Sequence, residues 1–360
     1  MHGDTLIPLE QCNRILIVKL SSIGDVVMTT PVAKVLRESL PNAYIAWAVE
    51  DRAREIVDGN PYLDEVIVWK RLRSGPKVIR AQKFVSGLLE LGRELRAREF
   101  DLAIDFQGLI KSALVTGISG ARFRLGYEDA RESSRLFYTD RFEGTGGPRG
   151  PLAYVKMLES LGIFSDDLEM HVQVADSDRD YARKLAIQAC AGNADWRGIV
   201  ALCPATTWPQ KHWTEEGWAR LADALVARYN ILPFFLGSKA DRPLIDRIRG
   251  LMHSPAGDAV GKTTLKEAAA ILDLSSVVVA VDTGLLHLST ALDRPTIGIF
   301  GPTVWGHMVK KPNFTILAEE MPCAPCMRHP TCEHFDCMSA VSFEDVLAAA
   351  EPRLSEIANP

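Results

Sequence analysis

Short runs of apolar, often β-branched residues alternate with segments of helical period along nearly the whole chain. In the first half, the strand-like runs are "RILIVKL" (14–20), "AYIAWAV" (43–49), "EVIVW" (65–69) and "DLAIDF" (101–106). Helices are expected between them near 26–39 and 51–57, as a long basic helix ending near Arg98, and from about Gly108 onward. This alternation predicts βαβ units and a parallel sheet.

The same alternation starts again in the second half. Its strand-like runs are "GIVALC" (198–203), "ILPFFLG" (231–237), "SVVVAV" (276–281) and "TIGIF" (296–300), and its helical segments lie near 214–228, 241–251, 265–273 and 284–292. The two halves are separated by a loop rich in glycine and proline (144–151) and a helix near 152–162. We therefore predict an α/β protein of two Rossmann-like, doubly wound domains facing a cleft. The boundary should fall within 165–195, and we place the domains at 1–175 and 176–360.

Composition favours a protein that works in the cytoplasm. No stretch of about 18 apolar residues is present, so no transmembrane helix is expected. The opening "MHGDTLIPLEQCNR" has no apolar core, so we do not interpret it as a signal peptide. A reducing compartment would keep the seven cysteines from forming a disulfide framework.

The formal net charge of −5 is unevenly distributed. Between Lys70 and Arg98, nine basic residues are opposed by Glu90 and Glu94 only. The basic positions are 70, 71, 73, 77, 80, 83, 93, 96 and 98. This excess is either a solvated helix face or a surface that meets an anionic lipid headgroup or another polyanion.

The first candidate site follows the first strand, at Ser21-Ser22-Ile23-Gly24-Asp25. In open α/β sheets, ligands bind at the carboxyl ends of the strands. The small residues would let a ligand approach the backbone, and Gly24 can adopt a left-handed conformation. Asp25 is either a general base or an N-cap of the following helix, and the local sequence alone favours the N-cap.

The second candidate site is "VVVAVDTGLLHLSTAL", where a buried strand ends and a helix should begin at Thr283 or Gly284. The first amides of that helix are suited to a phosphate group. Asp282 would repel phosphate, so its expected role is to accept hydrogen bonds from hydroxyl groups. His287, on the first helical turn, is either part of the site or a packed, hydrogen-bonded histidine.

The third candidate site is "PATTWPQKHW" (204–213), after a strand of the second half. It offers the hydroxyl groups of Thr206 and Thr207 and the cation Lys211, which is either a diphosphate partner or an exposed lysine without a role. By contrast, "GDAVGKTT" (257–264) has three residues between its glycines, where a phosphate-binding P-loop needs four. A dinucleotide-binding G-x-G-x-x-G is also missing after the first strand.

Four cysteines lie close together at Cys323, Cys326, Cys332 and Cys337, within a segment (323–337) that we call the cysteine loop. They are either ligands of a structural zinc or iron ion or free thiols packed in a loop. Their place beyond the last predicted strands argues against a catalytic metal.

Four segments together resemble the signature blocks of the glycosyltransferase family 9 heptosyltransferases, the ADP-heptose:lipopolysaccharide enzymes. In chain order they are "ILIVKLSSIGDVVMTTPV", "DLAIDFQGLIKSAL", "PATTWPQKHWTEEGWARL" and "VDTGLLHLSTALDRPTIGIFGPT", spanning roughly 14–303. A further segment, "ARESSRLFY" (130–138), is similar to heptosyltransferase I, whereas the cysteine loop is similar to other members of the family.

This resemblance implies the GT-B fold and a metal-independent reaction that inverts the anomeric centre. Asp25 is then the general base that takes the proton from the acceptor hydroxyl. Lys211 supports the departure of ADP by stabilising charge on the diphosphate. Lys19, at the end of the first strand, would support the site.

The resemblance also divides the binding residues between the domains, with the sugar nucleotide in the C-terminal one. The implied donor-binding residues are Thr206, Thr207, Lys211, Asp241, Thr263, Asp282, Thr283, Gly284 and His287. Among them, Asp282 would hold the heptose hydroxyls, Asp241 the ribose, and Thr263 would lie near the adenine. The implied acceptor-binding residues are Ser22, Gly24, Lys111 and Arg131.

The expected substrates are ADP-heptose and an anionic lipid acceptor, Kdo2-lipid A, which would receive L-glycero-D-manno-heptose on its Kdo. The basic residues at 70–98 would then face the acceptor, with the enzyme peripheral on the inner face of the inner membrane. No nucleic-acid partner is expected. The alternatives are a transferase of this family with another acceptor, a later core heptose or a protein, and a nucleotide-binding module without catalysis.

Overall fold

The computed structural model describes residues 7–72, 74–144, 147–190, 195–327, 329–330 and 332–358. The chain divides into two compact units, residues 1–173 and 174–360. The sequence placed the boundary two residues later, after residue 175. Basic residue Arg73 and residues 145–146 of the predicted loop lie outside the described residues.

The first unit is built on a parallel sheet of six strands in the order β3-β2-β1-β4-β5-β6. The strands are β1 (Arg14–Val18), β2 (Tyr44–Glu50), β3 (Glu65–Trp69), β4 (Leu102–Asp105), β5 (Phe123–Tyr127) and β6 (Asp140–Phe142). The α-helices are α1 (Ile23–Thr29), α2 (Pro31–Ser39), α3 (Arg54–Val57), α4 (Lys77–Arg96), α5 (Ile110–Ile118) and α6 (Pro151–Met157). The central strands β1 and β4 are buried on both faces, as their continuous apolar runs predict.

The second unit carries a parallel sheet in the order β12-β11-β10-β7-β8-β9. The strands are β7 (Ile199–Cys203), β8 (Leu232–Phe235), β9 (Gly257–Asp258), β10 (Val277–Val281), β11 (Thr296–Ile299) and β12 (Phe314–Leu317). The α-helices are α7 (Asp176–Ala189), α8 (Glu215–Tyr229), α9 (Arg242–Leu251), α10 (Leu265–Leu274), α11 (Gly284–Ala291), α12 (Asp336–Ser339) and α13 (Phe343–Ala358). When the strands of each unit are numbered from that unit's own first strand, the two sheets have the same strand order. Both units are therefore doubly wound Rossmann-like folds.

Two predicted helices are shorter or divided in the structure. The helix expected over 26–39 is two helices, because Pro31 lacks an amide proton and begins α2 rather than continuing α1. The helix expected near 152–162 ends at Met157 and continues to Leu161 as a 3-10 turn. None of the helices in the described part of the chain has the length and hydropathy of a bilayer-spanning segment.

Candidate active site

In each sheet, most of the candidate residues lie where the strand order reverses. The first reversal lies between β1 and β4, and the second between β7 and β10. The carboxyl ends of these strands lead into 19–25 and 106–111 in the first unit, and into 204–211 and 282–284 in the second. Ligands of open α/β sheets bind at these switch points, so both units present their candidate residues where ligand binding is expected.

Asp25 is the third residue of α1, and Ser22 is its N-cap. The backbone N–H of Ser22 donates to Asp25 Oδ2 at 3.0 Å, and Ser22 Oγ donates to the same oxygen at 2.9 Å. The carboxylate therefore has a capping role from within the helix, and the prediction of Asp25 as the N-cap itself is wrong. Gly24 does not use the left-handed conformation open to a glycine, since it is the second residue of α1.

Lys19 stabilises this loop from its buried side. Its side chain is buried, and Nζ donates to Phe106 O at 3.1 Å and to Tyr154 Oη at 2.8 Å. Burial lowers the pKa of the Lys19 ammonium, and the Asp25 carboxylate acts in the opposite direction. The two side chains are thus electrostatically linked.

The loop after β4 fixes the loop after β1. Gln107 Oε1 accepts hydrogen bonds from the backbone N–H groups of Leu20 at 2.9 Å and Ser21 at 3.2 Å. Asp105, fully buried, accepts from Gln107 N at 2.8 Å and from Tyr138 Oη at 2.8 Å. Burial raises the pKa of the Asp105 carboxyl, while these hydrogen bonds oppose the shift. The backbone leading to Asp25 is therefore held by buried polar groups.

Lys111 belongs to a cationic cluster around one buried carboxylate. Glu50, at the end of β2, is 1% exposed, and its Oε1 is 2.8 Å from Arg71 Nη1 and 3.0 Å from Lys111 Nζ. Arg52 Nε lies 3.7 Å from Glu50 Oε2. Lys111 Nζ also donates to Ser21 Oγ at 2.5 Å. Three cations thus surround one carboxylate, leaving an excess of positive charge beside the Ser21–Asp25 loop.

Arg131, another predicted acceptor residue, is exposed. Its backbone N–H donates to Gly108 O at 3.1 Å, which places it beside the loop after β4. Together with Ser22, which is also exposed, it adds polar groups at the same switch point. All four predicted acceptor residues therefore lie on loops or helix starts that follow β1, β4 and β5.

In the second unit, an ion pair joins the loops after β7 and β10. Lys211 Nζ is 2.7 Å from Asp282 Oδ2 and 3.3 Å from the backbone carbonyl oxygen of Asp282. The ammonium group also lies 4.5 Å from the ring centroid of Trp208. Thr206 Oγ1 donates to Asp282 O at 2.9 Å. Two residues that the sequence separates by 71 positions are thus brought together at the switch point.

The Asp282 carboxyl has a strongly perturbed pKa. Burial raises it, but the neighbouring His287 side chain and the charge of Lys211 outweigh burial and hold the pKa well below its usual range. His287 is 6% exposed, with Nε2 3.7 Å from Asp282 Oδ1. A persistent carboxylate flanked by a cation is suited to accept hydrogen bonds from sugar hydroxyl groups.

The remaining donor-site candidates lie along the same edge of the second sheet. Thr283 is the N-cap of α11 and Gly284 its first residue, as predicted. Thr207 is exposed after β7. Asp241 follows β8, where its Oδ2 accepts from both Ser238 N and Ser238 Oγ at 2.7 Å. A further candidate, Thr263, is half-buried after β9.

The cysteine loop contains only free thiols in the described structure. Within the described ranges, no group of three or more His, Cys, Asp or Glu side chains is arranged to hold a metal ion. Burial raises the pKa of the Cys337 thiol, and the neighbouring Cys326, Cys323 and Cys332 thiols act in the same direction. The four thiols are thus close enough to influence one another, and the metal at this loop stays a prediction.

Sequence reasoning missed Glu50, Gln107 and Asp105 as parts of the site. Asp105 and Gln107 stand in "DLAIDFQGLIKSAL" directly at a strand end, so their position was a usable signal. Glu50 closes an apolar strand in the same way. The cations that it pairs with are remote in sequence, Lys111 by 61 positions, and no local pattern indicates that pairing.

Comparison with known proteins agrees with this geometry. The sequence model of glycosyltransferase family 9 (heptosyltransferase) matches residues 88–335. Lipopolysaccharide heptosyltransferase 1 of Pseudomonas aeruginosa is 30% identical over 341 residues, covering 89% of this chain and 88% of that protein. The crystal structure of a family 9 glycosyl transferase from Veillonella parvula superposes with a TM-score of 0.81 at 23% identity, covering 96% and 97% of the two chains.

A structure of the E. coli heptosyltransferase WaaC with ADP is also similar, with a TM-score of 0.65 and 27% identity. It covers 96% of this chain and 99% of that one. The two doubly wound parallel sheets, together with these relatives, define the class of the protein as a GT-B glycosyltransferase, as predicted. More narrowly, the chain belongs to glycosyltransferase family 9, the heptosyltransferases.

Proposed function

We propose that the protein transfers L-glycero-D-manno-heptose from ADP-heptose to the Kdo of Kdo2-lipid A, in the lipopolysaccharide inner core. Support for the reaction class comes from relatives named lipopolysaccharide heptosyltransferase 1. The observation that carries the proposal in this chain is the Lys211–Asp282 pair at the second switch point. It combines a cation for a diphosphate with a carboxylate for sugar hydroxyl groups.

In the proposed mechanism, Asp25 is the general base. It takes the proton of the acceptor hydroxyl as that oxygen attacks C1 of the heptose, and the C1–O bond to ADP breaks with inversion. The Asp25 carboxylate lies in the first turn of α1, directly after the β1 loop whose Leu20 and Ser21 amides are fixed by Gln107. Preorganisation of this kind favours proton transfer, because the base need not be repositioned in the transition state.

The leaving ADP gains negative charge as the bond breaks. Lys211, the hydroxyl groups of Thr206 and Thr207, and the amides of Thr283 and Gly284 are proposed to stabilise that charge. His287 and Asp282 hold the heptose, Asp241 the ribose, and Thr263 lies near the adenine. Because these groups supply the positive charge and hydrogen bonds at the diphosphate, we propose that no metal ion is needed for the chemistry.

The acceptor is proposed to bind in the first unit through Ser22, Gly24, Lys111 and Arg131. The cations around Glu50 match the carboxylates and phosphates of a Kdo-bearing lipid in charge. The exposed basic residues of α4 extend that match. The enzyme would then work in the cytoplasm, peripheral on the inner face of the inner membrane.

The test is turnover with ADP-heptose and Kdo2-lipid A, measuring ADP release and the mass of the heptosylated lipid. Asp25→Asn should lose activity by about 10²–10⁴-fold, because general-base catalysis contributes on that order. Donor binding, measured by calorimetry, should be unchanged. Donor binding without turnover in the unmodified protein would indicate another acceptor. If neither occurs, the proposed function is wrong.

Because Asp25 also caps a helix, the experiment needs a matched control. Asp345 is the third residue of α13, and its Oδ2 accepts from Ser342 N at 3.0 Å and Ser342 Oγ at 2.5 Å. Asp345→Asn removes the same negative charge from the first turn of a helix, so it should cost a similar amount of stability, about 0.3–1 kcal/mol, with turnover retained. An equal loss of turnover in both variants would mean that Asp25 acts only through helix capping.

A further inference from the structure

The segment of residues 72–89, which includes the start of α4, exposes apolar side chains that the reaction does not explain. Five of the eleven large apolar side chains exposed in the described part of the chain lie between residues 72 and 89. They are Leu72, Val78, Ile79, Val85 and Leu89. Val78 is 68% exposed and Leu89 60%. Such a concentration is unusual for the surface of a monomeric protein and marks an interaction surface.

The exposed side chains share one side of the helix. Val78, Val85 and Leu89 are separated by seven and four positions, a spacing that aligns them along one face. A different face of α4 points toward the protein. On that face Phe84 and Leu88 pack against the core, and the centroid of the Phe84 ring lies 5.3 Å from that of Trp69. The aliphatic face is thus not the face that holds α4 to its sheet.

The same stretch is strongly cationic. Lys70, Lys77, Arg80 and Lys83 are exposed, and no acidic residue occurs between 70 and 89. Lys77 and Arg80, with Arg71, line an open groove beside the helix. An occupant of this surface must therefore accept aliphatic side chains and also carry negative charge.

We propose that residues 77–89 of α4 lie in the interface of an anionic lipid bilayer. Its aliphatic side chains enter the boundary between headgroups and acyl chains, and its lysines and arginine contact the lipid phosphates. The inference rests on the proposed function only in that a lipid acceptor would bring the enzyme to a membrane. It adds that the enzyme is held by insertion of apolar side chains as well as by charge.

The charge pattern favours a lipid surface over a second copy of this chain. Two copies meeting through this helix would place their four lysines and arginines against one another, with no acidic residue of the stretch to compensate. A bilayer containing anionic lipids supplies both the apolar layer and the negative charge.

The test is sedimentation of the purified full chain with vesicles of zwitterionic lipid alone or of zwitterionic lipid mixed with anionic phosphatidylglycerol. Binding should require the anionic vesicles. Val85→Ser/Leu89→Ser should weaken it by more than about tenfold, because each aliphatic carbon withdrawn from the interface lowers binding. Amide hydrogen exchange over 77–89 should slow on vesicles.

A matched control is Ile187→Ser, at a side chain 70% exposed on α7 of the other unit, which should bind like the unmodified protein. Equal binding by Val85→Ser/Leu89→Ser, or no binding by the unmodified protein, would overturn the inference. A concentration-dependent dimer that this double variant abolishes would instead identify a second copy as the occupant. Turnover of a deacylated, soluble acceptor should be unaffected by the double variant, so this inference and the proposed function can fail separately.

Discussion

Removing the cation of the Lys211–Asp282 pair tests the chemistry assigned to the second unit. Lys211→Met keeps most of the aliphatic stem beside Trp208 and deletes the ammonium group. Asp282 Oδ2 then loses a partner at 2.7 Å, and His287 Nε2 remains 3.7 Å from the other carboxylate oxygen. The substitution leaves a mostly buried carboxylate with one cationic partner missing.

The two side chains retain little contact with solvent, 13% exposed for Lys211 and 18% for Asp282. Removal of one member of a fully buried pair typically costs about 3–5 kcal/mol, because the other charge stays buried. The residual exposure and His287 reduce that cost here, so we expect about 2–3 kcal/mol of the free energy of unfolding. Donor binding and turnover should fall as well, since the diphosphate loses its cation.

The pKa of Asp282 sets the sign of the pH dependence. Because the folded-state pKa lies below its unfolded value, Asp282 contributes stability above an ordinary carboxyl pKa of about 3.9, and loses it as the pH falls toward the folded-state pKa. Lys211 supports that low pKa. The difference in stability between the unmodified protein and Lys211→Met should therefore be largest at neutral pH and should narrow at about pH 3.

The assay is urea unfolding of the full chain, followed by tryptophan fluorescence at both pH values. The control is Lys311→Met in the same unit, since Lys311 Nζ is 3.0 Å from an Asp293 side chain that is 74% exposed. An exposed pair of this kind contributes about 0–1 kcal/mol. If Lys211→Met costs no more than Lys311→Met, or costs as much at pH 3 as at pH 7, the pair does not have the role assigned to it.

Three further predictions concern the first unit and the cysteine loop. Reversing Lys77, Arg80 and Lys83 to Glu should weaken use of the lipid acceptor and spare ADP-heptose binding by calorimetry, and equal loss of both would contradict the acceptor role. Burial lowers the pKa of Lys111 and the Glu50 carboxylate opposes that shift, so Glu50→Gln should lower it further. The acceptor KM should then begin to rise at a lower pH than in the unmodified protein, and an unchanged pH profile would contradict this. Elemental analysis tests the predicted structural metal, which should be present at about one equivalent per chain if the four thiols share a single site.

The sheets were predictable where strands are continuous apolar runs. Both sets of strands at the switch points, β1, β4, β7 and β10, correspond to such runs in the sequence. The strands β5 (Phe123–Tyr127) and β12 (Phe314–Leu317) were not predicted. Both are only partly buried, so they do not need the continuous apolar runs by which a buried strand is recognised in a sequence. β9 was not predicted either, since two residues carry no periodicity.

The sequence predicts which strand ends carry the candidate site, but not which of its side chains contact one another. Position after a strand indicated Asp25, Lys211 and Asp282, because ligands bind at that edge of a parallel sheet. Which side chains touch depends on the strand order, and the sequence does not display that order. The bonds from Lys111 to Ser21 and Glu50 illustrate this. They connect residues at or just after the carboxyl ends of three different strands, β4, β1 and β2.

Asp25 combines a helix-capping contact with the proposed role of general base. The same arrangement, a serine whose N–H and Oγ both donate to the Oδ2 of an aspartate three residues on, occurs at Ser22–Asp25, Ser238–Asp241 and Ser342–Asp345. A capping bond therefore carries no information about catalysis. Asp25 differs in that its loop follows β1 at a switch point, whereas Asp241 follows β8, one strand away from the reversal in its sheet. Position in the sheet order, rather than the capping geometry, is what supports Asp25 as the base.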